Sequence, residues 1–284
     1  MNLRKNDSKK EDDNRRSVEN SSKTLLANIR FMRVDDPVRT VVITSAIPNE
    51  GKTYVAANLG RAMATSGVRT LIVDCDMRRR SMAKNLGVHA KKGIYSVLSG
   101  EVRLKDAVVK TQTPRMDFLD AEPHIPNPSD LLNSRRFSRL IAEAKNEYGY
   151  ILFDTPPVGT FVDAAVLGAK VDAVFMVVRE QFTRKDEVAR AADQLRTANV
   201  PLAGIVMNFC ERQSNEYYYE YYYREGKSSH HDAPKYSLNS TFDMQDQDYD
   251  DNTHTDAGAQ NGSKRNWSNA PDLNADDAGT KSSV

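Results

Sequence analysis

The sequence is short of several things, and each shortage excludes something. Its 284 residues hold two cysteines, Cys75 and Cys210. Two are too few for a disulfide framework or a thiolate metal site, and they point to a reducing compartment. No run of about 18 apolar residues occurs, so nothing is expected to span a membrane. The N-terminal stretch MNLRKNDSKKEDDNRR lacks the apolar core of a signal peptide. Charge of one sign is also missing: 40 Lys and Arg stand against 39 Asp and Glu, a net +1. No bulk field therefore argues for nucleic acid or an anionic membrane surface. The expected location is the cytoplasm. Mean hydropathy is −0.63, low for a globular enzyme. The deficit is local, because polar residues gather at both ends. The length suits one α/β domain with room to spare.

One more absence sits inside the stretch around which the chain is organised, RTVVITSAIPNEGKT, residues 39–53. A β-branched run (Val41, Val42, Ile43) leads into a short turn that ends in Gly51-Lys52-Thr53. That order predicts a strand, a phosphate loop and a helix N-terminus. Converging backbone N–H groups and the helix dipole suit a phosphate, Lys52 reaches the β- and γ-phosphates, and the Thr53 hydroxyl can ligate Mg²⁺. The glycine that usually opens such a loop is replaced by Ala46, so the turn must be made with a Cβ present. The candidate nucleotide contacts are Pro48, Asn49, Glu50, Gly51, Lys52, Thr53 and Tyr54.

The rest of the chain alternates strand and helix. Helical spacing is expected over residues 54–65, 134–148 and 186–198. Buried strands are expected at TLIVDCD (70–76), MDFLDA (116–121), YILFDT (150–155), DAVFMVVR (172–179) and LAGIVMN (202–208). This βαβ series predicts an α/β fold of the P-loop NTPase type, a mostly parallel sheet with helices on both faces. Ligands gather at the carboxyl ends of the strands in such sheets. Asp74 and Asp76, followed by Arg78, and Asp154 before Pro156 and Pro157 fall there. Carboxylates beside the phosphates either hold Mg²⁺ or accept a proton from an attacking hydroxyl. Asp163 is read as opening a helix, a structural role only.

Both ends read as disordered polar segments. Residues 1–20 form a charged arm. Leu25, Leu26, Ile29 and Met32 then make a short amphipathic helix over 24–32, which either packs on the domain or meets another subunit. The expected domain runs over 21–212. Within residues 213–224, Tyr217, Tyr218, Tyr219, Tyr221, Tyr222 and Tyr223 occupy six of seven positions. No strand or helix period explains them. They are either phosphoacceptors or aromatic stickers. Residues 225–284 form a polar tail.

With those motifs in place, the chain resembles the bacterial tyrosine kinases (BY-kinases) of capsule and exopolysaccharide synthesis. It is most similar to the Gram-positive form, in which kinase and membrane activator are separate chains. The resemblance covers about residues 20–224 and rests on SAIPNEGKT, LIVDCDMR, ILFDTPP and the tyrosine cluster. It implies an ATP- and Mg²⁺-dependent protein-tyrosine kinase. Lys52 and Thr53 would bind phosphates and metal, Asp74 would activate the tyrosine hydroxyl, Asp76 and Asp154 would hold the metal, and Arg78 would sit at the site's edge. It implies phosphorylation of tyrosines 217–223 on a neighbouring copy, in rings that break up once phosphorylated. It also implies a transmembrane chain-length regulator as activator, which recruits the chain to the membrane face, a cognate tyrosine phosphatase, and no nucleic-acid partner. Two departures stand out. Lys23 and Leu26 replace arginines of the family's subunit-joining motif ahead of Asn28-Ile29-Arg30-Phe31, and about sixty residues follow the cluster. The alternatives are a partitioning or positioning-type P-loop ATPase, against which Ile47 and the tyrosine cluster argue, and a nucleotide-binding scaffold for polysaccharide assembly.

Overall fold

The structure, a computed structural model, describes residues 2–33, 35–123 and 125–210. The tyrosine cluster and the polar tail lie outside the described residues. The chain runs α1 (Asn2–Phe31), β1 (Thr40–Ser45), α2 (Lys52–Thr65), β2 (Thr70–Asp74), α3 (Met82–Leu86), α4 (Ile94–Ser99), α5 (Leu104–Ala107), β3 (Val109–Lys110) and β4 (Met116–Leu119). It continues with α6 (Pro128–Asn133), α7 (Arg135–Glu147), β5 (Tyr150–Asp154), α8 (Asp163–Gly168), β6 (Ala173–Arg179), α9 (Lys185–Thr197) and β7 (Leu202–Asn208). The seven strands form one sheet in the order β3-β4-β2-β5-β1-β6-β7. Every pairing is parallel except that of β3 with β4.

Strands β1, β2, β4 and β5 are buried at every position. That is what continuous apolar runs require, since a parallel sheet is covered on both faces. Alternation divides the side chains between two cores. Val41 and Ile43 join Ile72, Leu152 and Phe118 on the face that α1 and α2 cover through Leu26, Ile29, Leu59 and Met63. Val42, Leu71, Val73, Ile151 and Phe153 meet Phe137, Leu140, Leu167, Ala191 and Leu195 of α7, α8 and α9 on the other. Ser134 starts α7 by accepting a hydrogen bond from the Phe137 N–H at 3.1 Å.

Two expectations change. Residues 2–20, read as an arm without structure, belong to helix α1. The stretch 1–33 contains no Gly or Pro, so helix propagation from the anchored end meets no breaker. That end is held by buried Leu26 and Ile29, and by Arg30, which donates to the Tyr150 hydroxyl (3.3 Å) and to Ser66 Oγ (2.7 Å). Met32, expected on the apolar face, follows the last turn and is 41% exposed, and Phe31 is 79% exposed. The second change is β3, two residues pairing antiparallel with β4, too short for a period-2 signal. The residue before α6 is Asn127, and its side chain caps nothing.

Candidate active site

The loop between β1 and α2 turns through left-handed backbone at Asn49 (φ 68°) and Gly51 (φ 86°). Ala46 is not among the left-handed residues, so its Cβ costs the turn nothing; it is buried at the end of β1. Gly51 answers to crowding as well as to φ. A Cβ there would lie 2.2 Å from Asn208 Nδ2. Asn208, the last residue of β7, donates to the Glu50 carbonyl at 2.9 Å.

Glu50 was expected at the nucleotide, but its carboxylate faces inward. It is fully buried, accepting from the Ile47 N–H (2.6 Å), the Arg179 N–H (3.4 Å) and the Thr183 hydroxyl. Its side chain braces the loop, leaving only its backbone toward the loop's interior. Pro48 and Asn49 are exposed, and Tyr54 is 45% exposed.

The loop's cation meets the acids across the sheet. Lys52, the first residue of α2, donates to Asp76 Oδ2 at 2.8 Å. Register places Asp74 beside Asp154 on the adjacent strand, and Asp154 beside Ile43 of β1. Position parity sets both acids on the face of α2. Asp74, Asp76 and Asp154 are all buried. Asp74 Oδ1 accepts from the Asp76 N–H (3.0 Å), and Asp76 Oδ1 accepts from the Arg79 N–H (2.9 Å). Asp74 Oδ2 and both oxygens of Asp154 have no hydrogen-bond partner.

Burying such acids together raises their proton affinity. Burial first, and then repulsion by Asp154 and Asp76, push the Asp74 carboxyl well above the usual range. Burial lifts Asp154 to about 6, with the Lys52 charge and the Thr53 hydroxyl working against it. For Lys52, burial opposes the charge, but Asp154 and Asp76 outweigh it and raise the ammonium above its ordinary value. The Thr53 hydroxyl sits in the same group, within reach of Lys52 Nζ (3.4 Å) and Ser81 Oγ (3.2 Å).

One acid escaped the sequence reading, and a second, which opens α8 as expected, does more than open it. Asp120 follows β4 at its carboxyl end and is buried. It pairs with Arg80 through Oδ2, while Oδ1 has no partner. Its signal was available, since the strand was foreseen and the carboxyl-end rule applies to it equally. Asp163, assigned a helix-opening role, is fully buried. It receives both Arg78 (3.4 and 3.2 Å) and Ser129 Oγ (3.4 Å). Those partners are 85 and 34 residues away in sequence, and no local pattern announces them. Arg78 also stacks on the Phe161 ring at 4.1 Å.

A phosphate loop, a lysine and a row of buried acids describe many nucleotide enzymes, and relatives decide among them. A sequence model of the family described as an AAA domain matches residues 38–216. The tyrosine-protein kinase YwqD of Bacillus subtilis is 35% identical over 186 residues, which cover 66% of this chain and 78% of that protein. The chain belongs to the bacterial tyrosine-protein kinases. The tyrosine-protein kinase wzc of Salmonella typhimurium is 30% identical over 206 residues, but the match covers 71% of this kinase and only 29% of that protein. Among solved structures, the chimerical protein CapA2B2 superposes with a TM-score of 0.64 and 34% identity, covering 67% of this kinase and 84% of that chain. The match to YwqD sets aside the positioning-type alternative: the sheet and loop serve a protein-tyrosine kinase.

Proposed function

We propose that the kinase transfers the γ-phosphoryl group of ATP to tyrosines 217–223 of a neighbouring copy, and that this transfer regulates capsule or exopolysaccharide synthesis. The observation that carries the reading is Asp74: a buried carboxylate with one unpartnered oxygen, set between Asp154 and the Lys52–Asp76 pair. Its raised proton affinity suits a base that takes a phenolic proton near neutral pH.

The backbone of residues 48–53 and the Lys52 ammonium hold the phosphates of ATP, and Arg78 marks the site's edge. Asp76, Asp154 and the Thr53 hydroxyl fit a Mg²⁺ ion. The buried oxygens of Asp154 accept no hydrogen bond of ordinary geometry, and the Thr53 hydroxyl and Lys52 nearby offset their burial only in part. Among the described residues no three His, Cys, Asp or Glu side chains form a ready cation site. Mg²⁺ is commonly held by one or two carboxylates together with substrate phosphates and water. The ion would neutralise charge on the transferring phosphoryl group. In the step itself, the phenolic oxygen bonds to the γ-phosphorus. The bond from that phosphorus to its bridging oxygen breaks, ADP departs with the electron pair, and the phenolic proton passes to Asp74 Oδ2.

Reach permits transfer within one chain as well as between copies. Four strand spacings separate β7 from β2, about 19 Å at the usual interval. Tyr217 lies seven residues past Cys210, at most about 23–25 Å fully extended. Extended, Tyr217 therefore has the length to span that gap, and Tyr218 and Tyr219 exceed it. Tyr221 to Tyr223 have the length for either.

No helix among the described residues is long and apolar enough to cross a membrane. Wzc is far longer than the matched part. We assign activation at the membrane face to a transmembrane regulator, and reversal of the modification to a tyrosine phosphatase. The test is incubation of the full chain with Mg²⁺ and ATP, with and without the regulator's cytoplasmic end. Phosphate is then mapped on residues 212–224 by mass spectrometry, with Lys52→Met as control. Phosphotyrosine lost in the control is expected. An unmodified cluster while ATP is still hydrolysed would overturn the reading.

A further inference from the structure

The loop that follows β2 meets the phosphate loop and the start of α2 at three places. Asp76 Oδ2 accepts from Lys52 at 2.8 Å, Arg79 donates to Asn49 Oδ1 at 3.1 Å, and the Ser81 hydroxyl donates to Thr53 Oγ1 at 3.2 Å. The first two contacts use charged side chains. The third joins two hydroxyls, and one of them belongs to the residue that fits Mg²⁺.

Ser81 stands at the N-cap of α3. Serine is favoured at that position because its side-chain oxygen can accept from a backbone N–H of the first turn. Ser81 makes no such bond. The residue suited to cap the helix leaves the cap unmade, and its hydroxyl is turned to Thr53 instead.

The direction of that bond carries the chemistry. A hydroxyl has one proton to donate and two lone pairs. Ser81 donates to Thr53 Oγ1, and Lys52 Nζ stands on the same oxygen at 3.4 Å. The Thr53 proton is thereby left for Asp154, whose proton affinity that hydroxyl lowers. Lys52 is also the cation that answers phosphates. Once it turns to them, one lone pair of Thr53 is open to a metal ion while Ser81 still holds the other. A threonine side chain has a few staggered wells to choose from, and the bond from Ser81 favours the one in which the oxygen stands beside Asp154.

We infer that Ser81 is a positioning residue for the Mg²⁺ site: its hydroxyl fixes the Thr53 oxygen that the cation uses, and so ties the loop after β2 to metal binding. The inference rests on the reading that Thr53, Asp76 and Asp154 receive Mg²⁺ beside the nucleotide. It adds a residue that acts through Thr53 rather than on the cation itself.

The experiment measures equilibrium binding of a fluorescent ADP analogue to the full chain by anisotropy, over a Mg²⁺ series and in EDTA, with no turnover involved. Ser81→Ala and Ser81→Thr, which keeps the hydroxyl, are compared with the unsubstituted chain. Ser81→Ala is expected to raise the half-saturating Mg²⁺ concentration about tenfold, the lower end of the range for losing the partner that orients a metal ligand. Its ADP Kd in EDTA should be unchanged, its melting temperature should hold because no cap bond is lost, and Ser81→Thr should restore the Mg²⁺ response. An unchanged Mg²⁺ response in Ser81→Ala overturns the inference. So does an equal rise in Kd with and without Mg²⁺, because Ser81 would then brace the phosphate grip alone. A threonine variant that behaves like alanine also overturns it, since size rather than the hydroxyl would matter. If the unsubstituted chain binds ADP with no response to Mg²⁺, the metal reading fails and the inference with it. A chain that shows the Ser81 effect yet never phosphorylates its 212–224 segment supports the role of Ser81 and counts against the kinase reading alone.

Discussion

Buried carboxylates occur at both ends of this sheet, and the two ends treat them differently. At the amino end, Asp117 of β4 accepts from the Tyr148 hydroxyl at 2.9 Å and from Lys110 at 2.9 and 2.8 Å, with Arg69 at 3.7 Å. Nearby, Asp172 accepts from the Arg39 N–H (3.0 Å) and from the N–H and hydroxyl of Thr40 (2.8 and 2.7 Å). Burial tends to raise Asp172, but those hydrogen bonds, Thr40 foremost, hold it below the usual carboxylate range. At the carboxyl end, Asp74, Asp120 and Asp154 keep unpartnered oxygens, and their proton affinities rise. The two ends share a residue type, and Asp117 is as deep as the carboxyl-end acids, while Asp172 is half-buried. The ends differ in whether the fold answers the charge. Acids answered by the chain's own donors hold the strands together, and acids left unanswered wait for something that is not part of the chain.

That contrast can be broken most forcefully at Lys52, the cation that answers Asp76 beside the unpartnered oxygens. Lys52→Met is expected to lower phosphotransfer to the 212–224 segment by about 10²–10³ or more, the scale for losing a positioned charge at a developing transition state. Single-turnover assays at saturating ATP check it, with circular dichroism to confirm the fold. Next is the amino end. Asp117→Ala should cost about 1–3 kcal/mol in urea unfolding, mainly from the Tyr148 hydroxyl left unpaired, with kcat/KM unchanged. The Lys110 arm is 80% exposed and adds little.

The third test reverses sign. Asp154 binds its proton more tightly folded than unfolded, with its value raised from 3.8 to about 6. Between those values the folded chain holds the extra proton, so the ligand-free kinase should lose stability as pH rises through that window and carry the full penalty above it. Asp154→Asn should therefore stabilise the ligand-free chain at pH 7 by on the order of 1–2 kcal/mol and flatten the loss between pH 4 and 6, while activity falls. Melting curves across pH decide it: a destabilised Asp154→Asn would mean that both ends are structural alike. The smallest effect is Tyr148→Phe, about 1 kcal/mol for one neutral donor to a buried acid, again with activity intact.

The sequence made the sheet legible because each strand is an uninterrupted apolar run, which a twice-covered strand must be. It made Lys52, Thr53, Asp74, Asp76 and Asp154 legible because each stands at a strand or helix end defined by its neighbours in the chain. What stayed hidden depends on partners far off in sequence. Glu50 looks like a loop residue facing a nucleotide until Arg179 and Thr183 arrive from the end of β6 and the loop beyond. Asp163 looks like a helix opener until Arg78 reaches it. Helix α1 was read short because a charged stretch without apolar period looks the same in a helix as in a free arm. The mostly parallel order was foreseen; two-residue β3 was too brief to leave a mark.

The hydrogen bond from Asn208 to the Glu50 carbonyl has a mechanical meaning. The phosphate loop is tied to Asn208, the last residue of the edge strand, and Phe209 just beyond it would stand 3.3 Å from a Cβ at Gly51. Two positions past Asn208 the chain leaves toward the tyrosines. One amide hydrogen bond thus joins the end of the edge strand to the turn that carries Gly51, and a shift of Asn208 would be felt first at the Glu50 carbonyl.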